Sequence, residues 1–269
     1  MGSSTRGVPT IGGFGVSGVE VNAIIDIESL SKVYQRVIVG QGGYHALTDC
    51  SLRVMAGEVM AILGLNGAGK STLLKCALGL VRPSSGRVTL SGPAGYLPEF
   101  LRLRRGVSPR SILRMVLRCT PLRREEAAKM IDAWLARLTL NGEGWRGGEL
   151  SNGMERRLGI AMAMIHRPLA LFLDEPSDGL DPEGKRVVRE LTLEARVRGA
   201  AILLSSHVLS EVEQVADRIA ILRRGRIVFE SGMSSKDFSA HGRCPGRDAE
   251  DFRLSGKGTL EEVFRRHAL

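Results

Sequence analysis

Aromatic residues are scarce. Seven Phe, three Tyr and two Trp make up 4% of 269 residues, too few for a platform that stacks successive bases of a nucleic-acid strand. Cysteine is scarce too. Cys50, Cys76, Cys119 and Cys244 show no C-x-x-C spacing. That excludes a disulfide frame or a thiolate metal knuckle and reads as ordinary thiols of a reducing compartment. No window holds about 18 uninterrupted apolar residues, so no segment is suited to span a membrane. Residues 1–18 lack the apolar core of a secretory signal. Arg6 stands where N-myristoylation after Met1-Gly2 needs Ser or Thr. No internal repeat is found.

What the chain does have is glycine, charge and an ordinary apolar fraction. Apolar residues are 43% and charged residues 25%, values of a soluble globular chain. The length allows one large domain or two small ones, with a core that needs no disulfides. The 33 glycines make tight turns and anion-binding loops worth seeking. The net charge is 38 − 29 = +9, and it is uneven. Residues 100–140 carry Arg102, Arg104, Arg105, Arg110, Arg114, Arg118, Arg123, Arg124, Lys129 and Arg137 against Glu125, Glu126 and Asp132. That segment is either a solvated helical face or a surface for acidic headgroups or an acidic partner.

Along the chain, residues 1–22 read as a flexible leader. Ile24 to Ile27 and Leu47 to Val54 read as edge strands. Val59-Met60-Ala61-Ile62-Leu63 is a continuous apolar run, as expected of a strand buried on both faces. A glycine-rich turn and a helix over 70–78 follow, then short strands over 88–90 and 95–97. Residues 98–165 read as a helical insert, with helices over 108–118 and 124–138. Strand and helix then alternate: strands over 169–173 and 201–204, helices over 183–197 and 208–215, and a hairpin over 219–229. Such alternation predicts an α/β fold with a mainly parallel sheet core. Residues 231–258 read as a linker and 259–266 as a short closing helix, which leaves 23–230 as the main domain.

Gly64-Leu65-Asn66-Gly67-Ala68-Gly69-Lys70-Ser71-Thr72 matches G-x-x-x-x-G-K-[ST] between a buried strand and a helix, the context that a phosphate-binding P-loop requires. Its backbone amides and the helix N-terminus attract an anion. Lys70 adds a charge at the β- and γ-phosphates of ATP, and Ser71 offers a hydroxyl to Mg²⁺. Leu169 to Leu173 is an apolar strand that ends in Asp174 and Glu175. At the carboxyl end of a buried strand Asp174 suits Mg²⁺, and Glu175, leaving in another direction, suits a general base on water. An N-cap or dipole-stabilising acid pair is the other reading.

Leu150-Ser151-Asn152-Gly153-Met154 lies between these two motifs. It resembles the LSGGQ signature of the ATP-binding cassette (ABC) ATPases, in its LSxGM form. Ser151 and Gly153 would open a helix whose N-terminus binds an anion, although an ordinary Ser N-cap satisfies the same local pattern. Tyr34, in Leu30-Ser31-Lys32-Val33-Tyr34, resembles the aromatic that stacks on adenine. Asp178-Gly179-Leu180-Asp181 resembles the D-loop, His207 the switch histidine, and residues 79–86 the stretch after the P-loop helix. The resemblance runs from about Ala23 to Phe229 in the family's order.

The resemblance implies a P-loop NTPase cassette with an antiparallel β edge subdomain and a helical subdomain. It implies ATP contacts at Tyr34, Gly64, Asn66, Gly67, Ala68, Gly69, Lys70, Ser71, Thr72, Ser151, Gly153 and Asp181. It also implies catalytic roles for Glu175, His207 and Lys70, and metal contacts from Ser71, Asp174 and Glu99. Glu99, in Gly95-Tyr96-Leu97-Pro98-Glu99, stands where the family's Q-loop usually carries Gln. Glu at this place and a tail like Thr259-Leu260-Glu261-Glu262-Val263-Phe264 resemble a bacterial exporter branch. The expectation is therefore an ATP-hydrolysing subunit on the cytoplasmic face of a bacterial inner membrane. A second cassette would bind head to tail, and separate integral-membrane subunits would meet the helical insert. No nucleic acid is expected. A non-transport ABC ATPase acting on nucleic acid or ribosomes is the alternative, and a P-loop kinase a more distant one.

Overall fold

The computed structural model describes residues 23–35, 43–103, 106–140, 150–233 and 259–268. The expected leader, most of the expected linker, Arg104, Arg105 and Cys244 lie outside them. In chain order the elements are β1 (Ile25–Tyr34), β2 (Tyr44–Val54), β3 (Val59–Leu63), α1 (Lys70–Ala77), β4 (Ser85–Leu90), β5 (Ala94–Leu97), α2 (Pro109–Leu117) and α3 (Arg124–Arg137). The second half adds α4 (Asn152–Met164), β6 (Ala170–Asp174), α5 (Pro182–Val197), β7 (Ala201–Ser206), α6 (Leu209–Val212), β8 (Arg218–Arg223), β9 (Arg226–Gly232) and α7 (Leu260–Ala268).

Six strands form the main sheet in the order β5-β6-β7-β3-β8-β9. All neighbours are parallel except β8 and β9, which form the antiparallel hairpin. Every residue of β3, β6 and β7 is buried. Alternate residues feed two cores. Val59, Ala61, Leu63, Leu171 and Leu173 pack with the helices α2 to α5 and α7. Met60, Ile62, Ala170 and Phe172 pack with α1 and with Ile25, Ile27 and Leu47. A strand with cover on both faces needs apolar residues at every position, which is why these runs are unbroken.

Ile25, Leu47 and their neighbours belong to a separate antiparallel sheet, order β2-β1-β4. Ile24 to Ile27 is therefore not an edge strand. Ile25 faces Val54 on one side and Leu90 on the other. Polar residues alternate with Ile25, Ile27 and Leu30, a pattern that an edge strand and a half-buried central strand share. The helix expected over 208–215 shrinks to α6, followed by turns, and β9 continues through Ser231 to Gly232.

Cys50 and Cys76 are buried free thiols, and Cys119 is an exposed one. Burial pushes the Cys50 thiol up to about 11. None of the helices among the described residues is long and apolar enough to cross a membrane.

Candidate active site

The loop between β3 and α1 is shaped by its glycines. Gly69 has φ 110°, and a Cβ there would lie 2.5 Å from the Ala46 carbonyl oxygen. Any side chain would both strain the backbone and push the loop off β2. Gly64 is held as closely against the Leu222 carbonyl, and Ala68 is buried in the same turn. Gly67 has φ 78° in open space. Asn66 is exposed in the turn, and Ser71 and Thr72 follow Lys70 in the first turn of α1.

Lys70 is buried. Its Nζ donates to the Gly64 carbonyl at 2.8 Å and lies 3.3 Å from Glu175 Oε1. The other carboxylate oxygen of Glu175, Oε2, is 2.9 Å from His207 Nδ1 and accepts from the His207 amide at 3.3 Å. One carboxylate is thus held between an ammonium and an imidazole at the end of β6. Desolvating such an ion pair is costly, so its presence at the end of a central strand marks a site.

Asp174 is fully buried. Its Oδ1 accepts from Ser205 Oγ at 2.6 Å, and its Oδ2 has no partner. Glu99 Oε2 receives the Ser71 hydroxyl at 3.5 Å. The hydroxyl oxygen of half-buried Tyr96 is buried and without a partner, and its pKa is pushed up by burial first and then by Asp174 and Glu99. Among the described residues no group of three His, Cys, Asp or Glu side chains converges on a metal position. The available set is two carboxylates and a hydroxyl. All-oxygen donors with an unpaired buried oxygen fit a hard cation that keeps waters or phosphate oxygens for its remaining positions.

The signature residues stand apart. Ser151 caps α4 by accepting from the Met154 amide at 3.3 Å. A Cβ on Gly153 would lie 3.8 Å from Leu180. Asp181 caps α5 through the Gly184 amide at 2.9 Å. The two motifs adjoin each other, and among the described residues neither makes a hydrogen bond to residues 64–72. Ser151 is thus an N-cap in this chain, a role that leaves the exposed start of α4 facing outward.

Tyr34 ends β1 and is 39% exposed, with Lys32 Nζ 4.9 Å from its ring centroid. Directly across the ladder stands Tyr44, 48% exposed, whose hydroxyl donates to the Gly67 carbonyl at 3.3 Å. Sequence reasoning missed Tyr44, Ser205 and Arg156. For Tyr44 there was a signal, a second Tyr in a chain holding three. For Ser205 there was the lone polar pair that closes an apolar strand. For Arg156 there was none.

The family model described as ABC transporter matches residues 47–178. An uncharacterized ABC transporter ATP-binding protein of Methanocaldococcus jannaschii is 34% identical over 205 residues, covering 76% of each chain. A Nod factor export ATP-binding protein I of Rhizobium johnstonii is 34% identical over 219 residues, 77% of this chain and 68% of that one. The solved structure of an ATP binding subunit of an ABC transporter matches with a TM-score of 0.70 at 26% identity, over 90% of this chain and 92% of that one. A dimeric ATP-binding cassette in a post-hydrolysis state, bound to ADP and Pi, matches in fold with a TM-score of 0.71 at 20% identity, over 78% and 99%.

Proposed function

The chain belongs to the ATP-binding subunits of ABC transporters and is an ATPase, and on that premise we propose that it drives an exporter. The observation that carries the chemistry is the Glu175 carboxylate, held between Lys70 and His207 beside the P-loop. Lys70 and the loop amides from Gly64 to Thr72 bind and orient the β- and γ-phosphates. Glu175 accepts a proton from the attacking water, whose oxygen bonds to the γ-phosphorus as the bond to the ADP oxygen breaks. His207 holds Glu175 in place and meets the γ-phosphate from the other side. Ser71, Glu99 and Asp174 would hold Mg²⁺, which when bound offsets the charge on the phosphate oxygens. The Tyr34 ring takes the adenine.

Residues 23–230 form the ATPase domain in this reading, with 98–165 as its helical insert. Ser151, Gly153 and Asp181 complete the nucleotide site of a second copy, so the working unit is a head-to-tail dimer. That Ser151 and Gly153 make no hydrogen bond to their own loop supports this assignment. Export is supported by the Nod factor export relatives, by Glu99 in place of Gln, and by the α7 tail. The subunit works peripherally, on the cytoplasmic face of the membrane, against separate membrane-spanning subunits. Nothing in these likenesses supports action on nucleic acid or ribosomes.

Glu175→Gln tests the reading. We expect hydrolysis to fall by about a hundredfold or more, the scale of a lost general base. ATP binding and an ATP-dependent dimer on size-exclusion chromatography should remain. Near wild-type turnover would overturn the general-base role.

A further inference from the structure

Arg156 lies on α4, five residues beyond the Ser151 cap. It is 6% exposed, yet among the described residues it forms no ion pair. All five N–H groups of its guanidinium go instead to main-chain carbonyls. Nε donates to Pro176 at 3.3 Å. Nη1 donates to Pro98 at 2.5 Å and to Glu99 at 2.8 Å. Nη2 donates to Asp174 at 2.5 Å and to Glu175. Burial lowers the guanidinium pKa, against which the nearby acids Asp178, Asp174, Glu175 and Glu99 favour its charge.

The five acceptors lie on two segments, one leaving β5 and one leaving β6. Each segment carries an acid of the site. Glu175 has φ 48°, a left-handed conformation that is strained for a residue with a Cβ. Arg156 grips the carbonyls on both sides of the Glu175 Cα. That fixes the two flanking peptide planes and with them the direction in which the Glu175 side chain leaves. It grips the Pro98 and Glu99 carbonyls in the same way. The five residues from Ser151 to Arg156 span about 7.5 Å of stiff helix, so a shift of the α4 start reaches both segments.

We propose that Arg156 is a positioning residue that ties Glu99 and Glu175 to helix α4, so that both acids are aligned only while α4 is seated on the ends of β5 and β6. This rests on the reading of Glu175 as general base. The link couples hydrolysis to the placement of the helix that carries Ser151 and Gly153. Lysine cannot replace arginine here, because it has three donors and no planar fork.

The test is Arg156→Lys in the full chain, alone and combined with Glu175→Gln, by steady-state ATP hydrolysis. For the single variant kcat should fall about tenfold to a hundredfold, the scale of a misplaced catalytic group. Its KM for ATP should stay within about threefold. In the double variant the two losses should combine to clearly less than their product, because both changes disable Glu175 and only the lost hold on Glu99 is added. A near wild-type kcat for Arg156→Lys, or losses that multiply in full in the double variant, would overturn the proposal. Turnover by Glu175→Gln itself would instead overturn the general-base reading. If Arg156→Lys does not fold, amide hydrogen exchange of the wild-type chain decides. Segments 97–101 and 174–178 should open as one unit, with equal opening free energies, and independent opening would overturn the proposal.

Discussion

At the scale of single residues, the site is built on carboxylates with unequal surroundings. Asp174 is buried with one oxygen satisfied, whereas Glu175 has both oxygens partnered. In the proposed mechanism these neighbouring positions therefore take different roles, Asp174 toward a cation and Glu175 toward a water. Sequence made Lys70, Asp174 and Glu175 legible because a charge at the end of an apolar strand or loop is conspicuous. It left Tyr44 unread, since a tyrosine ten residues after Tyr34 gives no hint that the two pair across strands. The hydroxyl of Tyr44 steadies the Gly67 carbonyl, and its ring stands beside Tyr34. Tyr44→Phe keeps the ring and removes the donor, a loss of about 0.5–1.5 kcal/mol for such a bond. Nucleotide-binding titration should show ATP affinity two- to tenfold weaker, with kcat nearly unchanged.

At the scale of elements, the central strands and α1 to α5 were readable because their patterns are local: unbroken apolar runs, a Ser108 cap, Pro at the starts of α2 and α5. What was not readable is pairing. The same alternation serves an edge strand and a central one, so the place of β1 between β2 and β4 comes from long-range partners. Close seating of α4 on β5 likewise depends on Gly95, where a Cβ would meet the Ala163 carbonyl at 1.9 Å. Helix α7 packs on β8, and its His267 ring stacks on Phe229 with centroids 5.0 Å apart. Burial lowers the His267 pKa, and Arg266 and Arg223 add to the effect. The unfolded chain therefore takes up the proton first, near the ordinary value of about 6.5. Stability is lost as pH falls through that value toward the lower folded pKa. Thermal melts should show a lower midpoint at pH 5.5 than at pH 7.5, and His267→Phe should flatten that difference.

At the scale of the whole molecule, one sheet separates two cores that serve different ends. One face packs against α1 and β1, and the opposite face carries α2 to α5, the helices that meet a partner in the proposed assembly. The excess positive charge falls on the second face. Arg110 and Arg137 are paired with Asp132 and Glu194. Arg114, Arg118 and Arg124 line a groove of about 520 Å³ over Leu117, Leu122 and Ile131, and among the described residues they form no ion pair. Replacing these three with Glu should lower co-purification with the membrane subunits, measured from membranes at fixed salt, if acidic groups of a partner or lipid sit there. The charge count in the sequence located this segment. It did not show which arginines are spent internally, because their carboxylate partners lie on other elements.

The Arg156 clamp has one more consequence. It holds main-chain oxygens only, and these are the same atoms whatever side chain the residue bears. The fastening is therefore indifferent to identity at 98, 99 and 174–176. Glu can stand for Gln at 99 without disturbing the grip. Chemistry at position 99 and the frame that holds it are thus set by different atoms, side chain for the one and main chain for the other.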